Sequence, residues 1–592
     1  MNFILPKILL TATICASAIS ASAVKAKPGV VTYTQPDGSL VEIMLHGDEH
    51  SHFATSLSGE LLLTNPEGFY EYAVKDSQGL IKTSGIKAGH SPLSIKERLV
   101  SGDDCFHYAR TAKPRKSSRV LEYTRSSAGG WEPRYRYTAS AFPTKGEPHS
   151  LVVLVEYQNV KFNLPDPQKY FDDFLNGENF TGNGATGSCR QYYIDNSNGL
   201  FKPTFDVYGP ILLANNRVYY GGGRNEDRAH EMVIEAVKAL DPDVDFSQYD
   251  HNNDGYVDSI YIIYADKGEA DGGPAESVWP HSWELSEIGV TLEADGVKFD
   301  TYGCSNETQG DGKPTGIGTF THEFGHVMGM PDLYNTENDY DYTTPCYWSL
   351  MDCGSYNNDG RTPPNLSSFE RYCMGWLMPE EIYSSGEYAL ENLSLSNKAY
   401  IMTTEERKDE FFIMDYRLQE NWDAFLPAQG LLIWQIDFDQ KAWDDNTVNN
   451  QMYRQKVRLI RADGIATVST DKGDPFPGYY GITKFDASSP MPLMSWQKNP
   501  LNVTSLTEIR EEEGKAIFYA TVTEDRSEEA GVQGVESIGS TITVNGNILY
   551  TNSGEIAVYD LAGRFAGIAT PDSPLRLDKG IYIAGRQKFI IK

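Results

Sequence analysis

The stretch GIGTFTHEFGHVMGMPDLY, residues 316–334, decides how this chain is read. His322, Glu323 and His326 lie within it, and on a helix positions i and i+4 share one face, so both imidazoles can reach one ion with Glu323 beside it. Phe320, Phe324, Val327 and Met328 give such a helix an apolar side, and no proline interrupts before Pro331. Gly329 and Pro331 then stop it. The glycine three residues after His326 lets the chain turn sharply and return Asp332 as a third ligand. The chain has only 11 His, so an accidental HExxH with GxxD attached is rare. The pattern predicts a zinc ion on His322, His326 and Asp332. Glu323 is the expected general base, taking a proton from water and delivering it to a leaving amine.

Further along, CYWSLMDCGSY (346–356) carries Met351 in a hydrophobic run. This is similar to the methionine turn that metzincin peptidases place beneath their zinc as an apolar floor. The same likeness makes Tyr356 a candidate for oxyanion stabilisation, although it follows Met351 by five residues, a longer offset than usual.

A second constellation is YDHNNDGYVDSIYIIYAD (249–266), where Asp250, Asn252, Asp254 and Asp258 alternate around Gly255. Alternating oxygen side chains in a tight glycine turn predict a calcium loop, with the Tyr256 carbonyl as a further ligand. The loop starts like an EF-hand but runs into a strand (259–264) and lacks a glutamate at position 12, so a structural ion is expected rather than a sensor. The bland reading is a turn rich in Asn and Asp that holds no metal. His281, in the run Trp279, Pro280, His281, reads as a satisfied histidine before it reads as a catalytic one.

At 592 residues the chain is too long for a single core, and 40% hydrophobic with 12% aromatic residues suits folded, strand-rich domains. A net charge of -31 argues against nucleic-acid or anionic-lipid partners, which need basic surface. Lys7, an apolar run and the small residues Ala21, Ser22 and Ala23 read as a signal peptide cut near Ala23 or Ala26. No later run is apolar enough for a transmembrane span. Export permits disulfides among Cys105, Cys189, Cys304, Cys346, Cys353 and Cys373, whose pairing the sequence does not rank.

The expected organisation is a signal peptide at 1–26, a β-rich pro-region with a basic linker at 27–140, an α/β (α+β) catalytic domain at 141–378, a β-sandwich at 379–525 and a small all-β module at 526–592. In the linker, Arg110, Lys113, Arg115, Lys116 and Arg119 crowd an exposed, easily nicked stretch. LVVLVEY (151–157) reads as a strand. Ala229, Met232, Val233, Ala236, Val237 and Leu240 read as the core face of a helix over 225–240.

Taken together, the chain resembles the immune inhibitor A family of secreted bacterial metallopeptidases. The likeness is carried by GDEHSH (47–52), GSCRQYYIDNSNGLFKPTFDVYG (187–209), DHNNDGYVD, HEFGHVMGMPDLY, WSLM and GWLMPEE (375–381). The resemblance implies a multidomain preproprotein with a metzincin-like zinc endopeptidase domain, structural calcium and a following β-rich domain. It also leaves Asp339 and Asp341 as alternatives to Asp332, with Cys346 close to where such a ligand falls. Cys105, Asp48, Asp103 and Asp104 are candidate blockers of the metal in the precursor. The tail, with IAVYDLAGR (556–564) and LDKGIYIAGRQKFIIK (577–592), is similar to the sorting modules of type IX secretion substrates, which would make secretion machinery a partner; an Ig-like stalk is the plainer alternative. The expected function is therefore a secreted or cell-surface zinc endopeptidase, made as a zymogen and acting on extracellular proteins or peptides. The alternative is an adhesion or binding protein on a peptidase scaffold. Carbohydrate binding through Trp422, Trp434 and Trp443 is less favoured than their packing in a core.

Overall fold

The computed structural model describes residues 24–48, 51–76, 78–102, 142–221, 228–337, 341, 343–404, 409–524, 542–545, 548–551, 556–560, 565–570, 573–577, 579–584 and 587–591. They fall into two compact units, one within Met1–Ile382 and Glu387–Ala520, the other within Tyr383–Gly386 and Thr521–Lys592. Among the described residues no helix is long and apolar enough to cross a membrane.

The larger unit begins with a six-stranded antiparallel meander, Val30–Thr34, Leu40–Asp48, Ser51–Thr55, Leu61–Thr64, Tyr70–Lys75 and Ile81–Lys87, each strand beside the next. This stretch is β-rich, the character expected of it from sequence. Its inner face packs Val31, Tyr33, Val41 and Ile43 in one cluster with Ala270 and Trp279.

The second layer is a five-stranded sheet of β1 (His149–Glu156), β2 (Thr204–Leu212), β3 (Ile260–Lys267), β4 (His281–Glu284) and β5 (Thr301–Thr308), in the order β4-β5-β3-β1-β2. β4 runs antiparallel to β5, while the other neighbours are parallel. Four helices pack with it: α1 (Pro167–Asn176), α2 (Cys189–Asn196), α3 (Ala229–Leu240) and α4 (Ile317–Val327). Successive strand residues point to opposite faces. Leu151, Val153 and Val155 of β1 therefore join the cluster of Met232, Val233 and Val237 from α3, and Val152 and Leu154 join that of Phe320 and Phe324 from α4. With both faces covered, β1 reads as an unbroken apolar run, as parallel strands do.

Beyond this lies a five-stranded sheet of Glu380–Glu381, Tyr400–Thr403, Glu410–Arg417, Gly430–Asp437 and Val457–Ile460, and a four-stranded one in which Val503–Glu512 and Lys515–Val522 are neighbours. Every residue of Glu410–Arg417 and Gly430–Asp437 is buried. The reason is that Phe411, Ile413 and Trp434 share one core with Phe320, Phe324 and Trp348 of the preceding region. Trp422 and Trp443 lie in that core too, which is the packing role favoured for them.

The smaller unit contains a three-stranded and a four-stranded sheet around Leu549, Val558, Ala569, Leu577 and Ala584.

Candidate metal centre

α4 is anchored by Phe320 and Phe324, which meet the rings of Phe205 and Tyr261 on the sheet. At its start, Gly318 donates its N–H to the Gly360 carbonyl, and a Cβ there would lie 1.9 Å from the Ser355 oxygen, so only glycine permits this approach. At its end, Gly329 takes φ 91° and Met330 N–H donates to the Gly325 carbonyl, which reverses the chain as expected.

The reversal brings Asp332 back against the two imidazoles. Its Oδ1 lies 3.2 Å from His322 Nε2 and 3.3 Å from His326 Nε2, and the two Nε2 atoms are 3.1 Å apart. Nδ1–H of His322 donates to the Leu350 carbonyl at 2.8 Å and that of His326 to the Met330 carbonyl at 2.7 Å. In the neutral imidazoles both Nε2 atoms are thereby left as acceptors facing each other and a carboxylate, an arrangement that a shared cation satisfies in place of a proton. Asp332 Oδ1 is buried with no hydrogen-bond partner, as a ligand atom would be. Among the described residues these three form the one such cluster of His, Cys, Asp or Glu donors within 4.8 Å, and their chemistry fits zinc.

Charge is strongly coupled here. Burial opposes a charge on His322, yet the Asp332 carboxylate raises its pKa to about 9. Burial resists ionisation of Asp332, but the imidazoles of His326 and His322 hold it well below the carboxylate range. Glu323, fully buried, is pushed up to about 8 mainly by desolvation. Its Oε2 has no partner.

Met351 lies under α4: a Cβ on Gly325 would meet its sulfur at 2.8 Å, and its carbonyl accepts from Leu333 N–H at 2.7 Å. The segment 350–351 thus braces both His322 and the turn that carries Asp332. Tyr356 is also at the site. Its hydroxyl donates to the Lys25 carbonyl at 2.6 Å, and burial raises its pKa well above the usual phenol value.

The start of the described chain packs against Glu323 and Trp279. Val24 N–H donates to Glu323 Oε1 at 2.7 Å, and the Val24 carbonyl accepts from the Trp279 indole at 3.0 Å. Of the blockers considered from sequence, Cys105, Asp103 and Asp104 lie outside the described residues. Asp48 ends its strand without joining the donor cluster.

The remaining candidates are placed elsewhere. Asp341 accepts from Asn335 and Thr343 and is not in the cluster, and Asp339 lies outside the described residues. Cys346 donates its N–H to Asp352, and the five described cysteines are buried and form no disulfide with one another. In the acidic loop, Asp250 accepts from Asp254 and Gly255 N–H, Asn252 from Asp254 N–H, and Asp254 from Tyr256 N–H, while Asp258 meets His251. His281 is a satisfied core residue between the Trp279 carbonyl and the Tyr302 hydroxyl.

Sequence reading missed Asn446. Its Oδ1 accepts from Asp332 N–H at 2.8 Å and its Nδ2 donates to Asp332 Oδ2 at 2.7 Å. Nearby, Trp443 donates to the Gly329 carbonyl and Asn449 to that of Leu333, so the turn is clamped from residues over a hundred positions later. The Asn-rich run DDNTVNNQ (444–451) is the only signal that marked this segment.

Comparison with known proteins agrees with this geometry. Residues 157–378 match the model of the immune inhibitor A peptidase M6 catalytic domain. The chain is similar to the pre-pro-metalloprotease PrtV of Vibrio cholerae, 29% identical over 248 residues (36% of this chain, 27% of that one). It is also similar to immune inhibitor A of Bacillus thuringiensis, 26% identical over 265 residues (37% and 38%), so it spans well under half the length of these relatives. The family match takes in the segment that builds the donor cluster, and together with the two relatives it supports the M6 immune inhibitor A family of metallopeptidases for this chain.

Proposed function

We propose that this chain is a secreted, zinc-dependent endopeptidase made as a latent precursor. The observation that carries the reading is the convergence of His322, His326 and Asp332 on one point with Glu323 alongside. A zinc ion held by these residues would supply Lewis acidity toward a peptide carbonyl and toward water. Glu323, raised to about 8 by burial, is suited to accept a proton from water and return it to the departing amine. The Val24 nitrogen, 2.7 Å from Glu323, marks where such an amine would sit. Tyr356, donating to a main-chain carbonyl in the cleft, is suited to hold the substrate backbone or its developing oxyanion.

Latency is supported by the same contacts, because residues 24–26 are buried beside Glu323. Of the two cleavage points suggested by the leader, the bond before Val24 keeps this plug; its new α-ammonium would face the Glu323 carboxylate. A structural calcium ion in the 250–258 loop, supported by the buried, unpartnered Asp258 Oδ1, and a sorting role for the C-terminal module complete the proposal.

The test is hydrolysis of casein or gelatin by the protein after removal of residues 24–140, with and without a chelator, beside Glu323→Gln. The reading expects activity that chelation abolishes and that the variant lacks. Chelator-resistant activity, or a fully active variant, would refute it.

A further inference from the structure

The plug carries a buried cation into the cleft. Lys25 is 8% exposed, although lysine is among the residues most rarely buried. Its Nζ stands 5.8 Å from the centre of the Tyr334 ring, and its charge reaches the Cys353 thiol. An ammonium leaves water at a large cost unless its surroundings favour positive charge, and an aromatic face does so.

Two residues beside this ammonium, Tyr334 and Cys353, lie outside the pro-region. Tyr334 lies two residues after Asp332, and Cys353 two residues after Met351, so both sit on segments that build the metal centre. These two residues therefore stay with the peptidase once the pro-region leaves. The main chain that delivers Lys25 is fixed at successive points: Val24 N–H on Glu323, the Val24 carbonyl on Trp279, the Lys25 carbonyl on Tyr356, and Lys27 N–H on the Ala270 carbonyl. These four partners lie outside the pro-region, while Ala26 N–H donates to the Gly47 carbonyl of the pro-region at 2.9 Å, so Val24 and Lys25 are held as a peptide substrate would be held and the pro-region ties the chain just beyond them.

We infer that the subsite filled by Lys25 is a specificity pocket for a basic side chain, which selects lysine or arginine at the second residue after the bond that is cut. The register follows from Val24, whose nitrogen meets Glu323 where the first residue after the cut would present its amine. The inference rests on the peptidase reading above and names the substrate class for it.

Fluorogenic peptides that differ only at that second position, carrying Lys, Arg, Leu or Glu, test it with the mature enzyme. Lys and Arg are expected to exceed Leu and Glu by about tenfold or more in kcat/KM, the size of discrimination that one well-matched side-chain pocket provides. A second measurement does not need turnover. In the intact precursor, Lys25→Glu is expected to speed amide exchange of residues 24–27 by about tenfold, whereas Lys25→Arg keeps their protection. Equal cleavage of all four peptides, or unchanged protection in Lys25→Glu, overturns the pocket and leaves the peptidase reading intact. Failure to cleave any peptide overturns that reading, and the pocket with it.

Discussion

Asn446 grips Asp332 at both ends, accepting from its main-chain N–H at 2.8 Å and donating to its Oδ2 at 2.7 Å, so that Oδ1 is left to face His322 and His326. A ligand turn held this way is positioned before any metal arrives. Partners one step behind a metal ligand typically contribute about 10- to 100-fold in affinity. Asn446→Ala is expected to weaken zinc binding by that factor in competition with a chromogenic chelator, and affinity equal to the parent would contradict the role.

The close approach of α4 to the turn at 353–356 predicts a stability effect away from the chemistry. Gly318→Ala would place a methyl carbon 1.9 Å from the Ser355 carbonyl oxygen, so the helix and the turn must separate. A loss of about 3 kcal/mol is expected in denaturant unfolding, the upper end of typical overpacking costs. A change under about 0.5 kcal/mol, ordinary for surface sites, would show that the contact is not tight.

Tyr356 donates to the Lys25 carbonyl at 2.6 Å. Tyr356→Phe removes that donor and leaves the ring. It is expected to lower kcat/KM by about 10- to 100-fold if the hydroxyl aids an oxyanion or orients substrate, with little change in zinc content. Unchanged kinetics would limit the residue to a structural part.

If residues 24–102 act as the proposed pro-region, their grip should depend on pH through Asp271. Burial raises its pKa to about 7 despite the nearby charge of Lys27. Release of the pro-region would return the carboxyl to water and to an ordinary pKa near 4. The closed precursor thus binds more protons between about pH 4 and pH 7, so closure weakens as pH rises through that window and changes little above it. Pro-region dissociation after linker cleavage is expected to be faster at pH 7.5 than at pH 5, with a flatter profile in Asp271→Asn. An equally steep profile in that variant would assign the effect to other groups.

Much of this was legible in the sequence because it depends on local spacing. The i, i+4 histidines, the apolar side of α4 and the glycine that ends it are set within a dozen residues, and Asp332 follows from the turn they define. The core face of α3 and the unbroken apolar run of β1 were equally plain. What stayed hidden depends on distant chain. Nothing around Asn446 announces a partner 114 residues earlier. The shared core of the catalytic and following β-rich regions was likewise invisible, because a fully buried strand such as Glu410–Arg417 reads the same whether its cover comes from one domain or two. The plug was missed for a further reason: Val24, Lys25 and Ala26 look like the end of a leader, and only the fold brings them to Glu323.

The most direct test of the central claim is zinc-edge absorption spectroscopy with metal analysis on the mature protein and on His322→Ala, His326→Ala and Asp332→Ala. The account predicts one zinc per parent chain with two imidazoles and a carboxylate among its ligands, and a loss of bound zinc in each variant. Parent protein without stoichiometric metal, or zinc retained unchanged when either histidine is removed, would contradict it.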